Sequence, residues 1–190
     1  MLRTGSRRLG SALAAAVALI LIFTAPAFAY SLEGPRWSSQ RSSGCCATFN
    51  LQYASAFYSG DRAGFDNARS AWNGSPANVL FNSGSSSITA DDTNNSSVSW
   101  DGITNYHWSA CGFLWLSKCF DYAHVLLNYS YTSHDSANTI KGIAAHELGH
   151  AIGLGHTNGC VLMTPYTSTR NSCGIYGPVS DDVHGVNSLY

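Results

Sequence analysis

The 190-residue chain is poor in charge. Asp, Glu, Lys and Arg together make up only 11% of it, and glutamate occurs just twice, as Glu33 and Glu147. Ten basic residues face eleven acidic ones, so no basic excess exists to draw in nucleic acid or an anionic membrane surface. Beyond the N-terminal region no apolar run approaches the length of a membrane span. No internal repeat is visible, and no Cys-x-x-Cys pair supports a zinc-thiolate site.

What is present begins with an export signal. Arg3, Arg7 and Arg8 form a positive segment, Ala12 to Phe23 is apolar, and Ala27-Phe28-Ala29 offers small residues at a cleavage site. This pattern predicts a secretory signal peptide over residues 1–29, its apolar run being too short to span a bilayer. Residues 30–190 then form one domain with a sizeable core. Removing 1–29 takes away three basic residues and no acid, which leaves seven against eleven, a net charge of −4. The domain is expected to be soluble, extracellular and monomeric, with no membrane contact after cleavage.

All six cysteines fall in the exported part, and an even count in a secreted chain reads as disulfides, with fifteen complete pairings open. Short loops favour Cys111–Cys119 and Cys160–Cys173. That choice leaves the adjacent Cys45 and Cys46 to each other, an awkward geometry.

Helical spacing of Phe65, Ala68 and Trp72 predicts a helix over 59–73, stopped by Asn73-Gly74-Ser75-Pro76. Residues 79–101 read as short strands divided by polar clusters, and 120–131 as the most strand-like segment. A helical pattern returns over 136–152. After Met163 an irregular stretch leads to Ser180, which could cap a final helix with Asp181 and Asp182 in its first turn. A helix, several strands, then two helices give an α+β class.

The chemistry concentrates in "AAHELGHAIGLGHTNGC", residues 144–160. His146 and His150 stand one helical turn apart and share a face. Glu147, beside the first histidine, can reach a water activated by a metal without binding the metal itself. Gly153 lets the chain leave the helix sharply and bring back His156 as a third ligand. Three nitrogens leave a fourth position open, the arrangement of a catalytic zinc. A buried helix with fortuitous histidines is the plainer explanation, since Leu148, Ala151 and Ile152 look internal. Chance, however, yields His-Glu-x-x-His in roughly one such chain in several hundred, and the added glycine and third histidine lower that about a hundredfold.

"HELGHAIGLGH" resembles the metzincin zinc endopeptidases, whose motif is followed by a methionine turn. Met163, in "CVLMTPY", sits where that methionine belongs, and the chain is most similar to the matrixins. "VLMTP" resembles their turn and "SDDVHGVNSLY" their closing helix. "YSLEGPRW" resembles the start of their catalytic domain, and "FDNARSAW" their first helix. The resemblance implies a twisted mixed sheet with a long active-site helix, a first helix and a C-terminal helix. It implies one catalytic Zn²⁺ held by His146, His150 and His156, with Glu147 as general base. Met163 would form a floor under the ligands, Pro165 and Tyr166 would shape the neighbouring pocket, and the Asp181–Asp182 pair would brace the methionine turn. Protein or peptide would be the substrate.

The chain also departs from the matrixins. Their usual tyrosine four residues after the methionine is Thr167 here, with Tyr166 one earlier, and no cysteine-switch propeptide is seen. Structural Ca²⁺ has no support: Asp91, Asp92, Asp101 and Asp135 are scattered acids in polar loops. His107, His124, His134 and His184 read as surface or satisfied core histidines. Two other functions remain open at this point. One is a zinc-dependent amidase or deacetylase acting on cell-wall material, the other a non-catalytic zinc-stabilised binding domain. A purely structural site would need no base and would close with a fourth protein ligand.

Overall fold

In the computed structural model, Phe65, Ala68 and Trp72 are fully buried along one face of helix α1 (Ser59–Asn73), as their spacing requires. The structure describes residues 30–38 and 46–190, so the signal segment 1–29 and Cys45 lie outside the described residues. α1 packs against α3 (Ala137–Ala151), and Trp72 Nε1 donates to Ala145 O at 3.0 Å. The Ser136 hydroxyl caps α3 by accepting from the Thr139 amide at 3.1 Å, which satisfies one of the orphan N–H groups of its first turn. From Gly142 to Ala151 every residue of α3 is buried.

Five strands form a mixed sheet in the order β3-β2-β4-β6-β5. They are β2 (Ala47–Tyr53), β3 (Val79–Ser83), β4 (Ile88–Thr93), β5 (Gly102–Cys111) and β6 (Ser117–Asn128). β2, β3, β4 and β6 run parallel, and β5 is the antiparallel edge, joined to β6 by a hairpin. Phe49, Leu51, Phe81, Ile88, Val125 and Leu127 point from the sheet into the core shared with α1 and α3. Each such side chain contributes about 1.5–3 kcal/mol by leaving water. Among the described residues, no helix is long and apolar enough to cross a membrane.

The N-terminal segment straps across the back of this unit. β1 (Ser31–Leu32) pairs antiparallel with β7 (Leu154–Gly155), and Trp37 Nε1 donates to Ala151 O at 2.8 Å. A C-terminal helix, α5 (Ser180–Leu189), closes the domain. The expected α+β class, mixed sheet and three principal helices are all present.

Four details differ from the sequence reading. β2 and β5 are strands where none was expected. β6 stops at Asn128 and residues 129–132 turn into a short helix, α2 (Tyr129–Thr132). The fully buried Asn128 side chain makes that corner: its Oδ1 accepts from the Asn95 and Ser130 amides, and its Nδ2 donates to Asn95 O and Trp100 O. The stretch after Met163 contains a further helix, α4 (Thr167–Cys173). Finally, Ser180 is the first residue of α5 and not its cap, because Asp182 Oδ2 takes the Val179 amide at 2.8 Å instead.

Disulfides Cys111–Cys119 and Cys160–Cys173 are present, the first closing the β5–β6 hairpin and the second fixing α4 to the loop after His156. Cys46 is also disulfide-bonded.

Candidate metal centre

His146 and His150 project from one face of α3, and Gly153, at φ +101°, turns the chain back so that His156 faces them. That left-handed conformation suits glycine and strains other residues. The three Nε2 atoms lie 3.1–3.2 Å from one another. His146 Nδ1 meets Leu162 O and His150 Nδ1 meets Leu154 O, both at 2.8 Å. Those carbonyls only accept, so each Nδ1 carries the proton and each Nε2 presents a lone pair. Lone pairs converging on one point without donors fit a cation. Nitrogens bound at about 2.0–2.1 Å to a tetrahedral zinc would be about 3.3 Å apart, close to the observed spacing. Among the described residues this triad is the one convergent group of metal-binding side chains.

Burial holds His146 well below its ordinary pKa, and the nearby charges of Arg170 and His150 add to this, so the ring is neutral and competent as a ligand. His156 is lowered as well, chiefly by burial. At His150 burial also acts downward, but the Glu33 hydrogen bond and the charges of Glu147 and Glu33 outweigh it and raise the pKa.

Glu147 is 5% exposed, and burial pushes its carboxyl upward against the opposing pull of His150 and Thr104. The Thr104 hydroxyl, on β5, lies 2.8 Å from Glu147 Oε2 and 2.9 Å from Glu147 O. One hydroxyl proton serves one acceptor at a time, so Thr104 ties the glutamate to the edge strand by a shared contact. Glu147 and all three histidines line a cleft of about 670 Å³, together with Gly102, Thr104, Tyr106, Pro165, Tyr166 and Thr167.

Met163, 2% exposed, lies directly under α3: a Cβ added at Gly149 would come within 2.5 Å of its Sδ. The glycine therefore lets the methionine approach the helix between the first two histidines. Fully buried Asp182 fixes the turn, its Oδ2 accepting from the Leu162 amide and its Oδ1 from the Met163 amide, both at 3.1 Å. Burial pushes the Asp182 carboxyl up, and these backbone bonds together with that of Val179 oppose the shift. Of the Asp181–Asp182 pair, these contacts to the turn belong to Asp182. Pro165 and Tyr166 border the cleft, Tyr166 remaining 69% exposed.

Several neighbours had not been anticipated. Glu33 Oε1 sits 3.0 Å from His150 Nδ1, while its Oε2 accepts from the Tyr106 hydroxyl at 2.6 Å. Burial works to raise Glu33, but its bonds to His150 and Tyr106 prevail and lower it. Arg170, on α4, is 2% exposed and donates from Nη1 to Thr164 O and from Nη2 to Thr167 Oγ1, both at 2.6 Å. The rarity of glutamate was the one sequence signal for Glu33; Thr104, Tyr106 and Arg170 gave none. His107, His134 and His184 are exposed, His124 is half-buried, and none joins the triad.

The fold and the triad together define an α+β domain with a three-histidine metal centre beside a buried glutamate. The family model described as Matrixin matches residues 47–190, and the chain belongs to that family. Human (Homo sapiens) matrix metalloproteinase-20 is 47% identical over 49 residues, which is 25% of this chain and 10% of that protein. The chain thus spans about a tenth of the length of that relative. Among solved structures, high choriolytic enzyme 1 of Oryzias latipes, a hatching enzyme zinc-protease, is 16% identical with a TM-score of 0.38, covering 64% of this chain and 50% of that one. Myroilysin is 16% identical with a TM-score of 0.36, over 64% and 52% of the two chains.

Proposed function

We propose that this chain is a secreted, zinc-dependent endopeptidase that acts as a monomer on peptide bonds within proteins. The observation that carries the reading is the convergence of three Nε2 lone pairs 3.1–3.2 Å apart beside a buried carboxylate. His146, His150 and His156 would hold Zn²⁺, which supplies Lewis-acid polarisation of a carbonyl and acidifies water. Glu147 takes the proton of the attacking water and delivers it to the departing amine. Thr104 orients the carboxylate. Among the described residues, edge strand β5 pairs with β6 alone, and its residues 102–104 and 106 line the cleft. An extended peptide can lie along such an edge and bond to its free backbone groups.

Export through residues 1–29 is part of this reading, supported by the basic–apolar–small pattern and by the disulfides, Cys111–Cys119 and Cys160–Cys173 among them. The test is metal analysis of the purified protein with casein digestion. One zinc per chain is expected, with proteolysis abolished by a chelator and restored by added zinc. Full activity in thoroughly metal-free protein would overturn the proposal.

A further inference from the structure

The far end of the β5–β6 hairpin takes no part in the cleft: none of residues 107–120 lines it. Past the bulge between His107 and Trp108, β5 leaves the core and residues 107–110 are exposed. At the tip, Phe113, Leu114, Trp115 and Leu116 follow one another, each 68–85% exposed. Single apolar residues on a surface are ordinary, but a contiguous cluster of this kind marks a contact.

The backbone is shaped to display them. The Leu116 amide donates to Phe113 O at 3.4 Å, and the two residues between, Leu114 and Trp115, stand at φ +56° and +58°. Positive φ at both central positions is the requirement of a tight hairpin turn that is best served by Asn-Gly. Leucine and tryptophan suit that conformation poorly, so turn chemistry does not account for them. The Cys111–Cys119 disulfide closes the ribbon behind the tip, which leaves less freedom to lose on docking.

Charge along the ribbon points to the partner. Residues 102–120 contain no acid, and Lys118 is their one Lys or Arg. Lys118 Nζ lies 4.2 Å from the centre of the Trp108 ring, and the exposed Arg36 runs beside the ribbon, its amide donating to Lys118 O at 3.2 Å. The first acid, Asp121, comes further back and is held by His107 Nδ1 at 2.6 Å and by the Ser109 hydroxyl at 2.8 Å. From the tip inward the ribbon is therefore apolar, then aromatic and basic, then polar with its charge paired. A bilayer presents the same order from hydrocarbon through interface to water. Lys118 follows Leu116 by two residues, about 7 Å of strand, within the roughly 5–10 Å to which interfacial segments sink. A protein partner would need a hollow for this convex tip and would have to cover Lys118, whereas a lipid surface yields to the tip and keeps the ammonium among its headgroups.

We propose that the hairpin tip is a membrane anchor: Phe113, Leu114, Trp115 and Leu116 enter the interfacial layer of an anionic bilayer, and Lys118 and Arg36 meet its headgroups. The acidic balance of the whole chain gives no reason to expect this partner; the acid-free hairpin is the local exception. The proposal goes beyond the endopeptidase reading and shares with it only export.

The test is co-sedimentation of the signal-cleaved protein with vesicles of phosphatidylcholine, alone or with about a third phosphatidylglycerol. Wild type is expected to bind both, and the anionic vesicles more tightly. The double variant Leu114→Asn with Trp115→Gly satisfies the turn and removes two apolar side chains, so it should keep its melting temperature and its casein hydrolysis while binding at least about tenfold more weakly. Lys118→Gln should lose about fivefold on anionic vesicles alone. Trp115→Phe should bind as wild type does but lose most of the quenching of tryptophan emission by brominated lipid, a readout that does not depend on the double variant folding. Failure of wild type to bind either vesicle would overturn the proposal, as would equal binding by wild type and the double variant. A tip that instead joins two copies of the chain would give a concentration-dependent dimer without vesicle binding. One that grips substrate would raise KM for casein in the double variant, again without vesicle binding. Either result overturns the anchor. Loss of casein hydrolysis by wild type would count against the endopeptidase reading and leave the vesicle result standing.

Discussion

At Glu33 the carboxylate joins two groups, the Tyr106 hydroxyl at 2.6 Å and His150 Nδ1 at 3.0 Å. A carboxylate behind a metal-binding imidazole fixes its tautomer and strengthens its lone pair. Glu33→Gln should weaken zinc affinity by about 10–100-fold, read by competition with a chromophoric chelator; unchanged affinity would show that Leu154 O alone orients the ring. Gly149 makes a steric argument. Alanine there would press a methyl group to 2.5 Å from Met163 Sδ, so Gly149→Ala should cost about 1–3 kcal/mol in a urea melt, the range for overpacking. At this scale the sequence revealed the three histidines, Glu147 and Met163, because one turn of helix and one glycine bring the histidines together locally. Glu33, Tyr106 and Arg170 reach the site only through the strap, the edge strand and α4, and no spacing in the sequence records those approaches.

Elements carry the next set of consequences. Asp182 ties α5 to the methionine turn by accepting the Leu162 and Met163 amides, and it also holds the Val179 amide at the start of its own helix. Replacing it with alanine strands three donors, each costing about 1–3 kcal/mol. Asp182→Ala is therefore expected to lower stability by several kcal/mol and to loosen zinc, measured together by thermal melting with and without added metal. A melt unchanged in both conditions would show that the turn holds itself. The Cys160–Cys173 bridge closes a loop with a sequence separation of 13 and anchors α4. Its removal as a double serine variant should cost about 3 kcal/mol on the chain-entropy estimate. Helices α1 and α3 were legible because their apolar residues recur at helical spacing. β5 was not, since its residues are half-buried or exposed with no alternation, and only pairing with β6 makes it a strand. α4 was hidden for a similar reason: "TSTRNSC" has a single buried residue, Arg170, and no apolar stripe.

Across the whole molecule, buried charge is concentrated at few places, and one of them lies away from the cleft. Asp61, on α1, is 1% exposed. Burial raises its pKa to about 6, the charges of Asp92 and Asp135 add to this, and Thr132 offsets only part. The unfolded chain releases this proton near 3.8, whereas the folded chain keeps it to about pH 6. Between those values only the folded state holds the proton. Stability from this group is therefore greatest below about pH 4, falls as pH rises to about 6, and is level above that. The full drop is about 3 kcal/mol. Asp61→Asn should accordingly exceed wild type in stability by about that amount at pH 8 and by roughly half of it at pH 5. Equal pH profiles for the two proteins in denaturant melts would contradict this.

The central claim is that the metal and the base are separate parts of one reaction, held by His146, His150 and His156 on one side and by Glu147 on the other. The most direct measurement is casein hydrolysis by Glu147→Ala protein carrying one zinc per chain. The account predicts retained metal with turnover reduced at least about a hundredfold, the contribution of a positioned general base. Wild-type turnover by that zinc-loaded variant would contradict it.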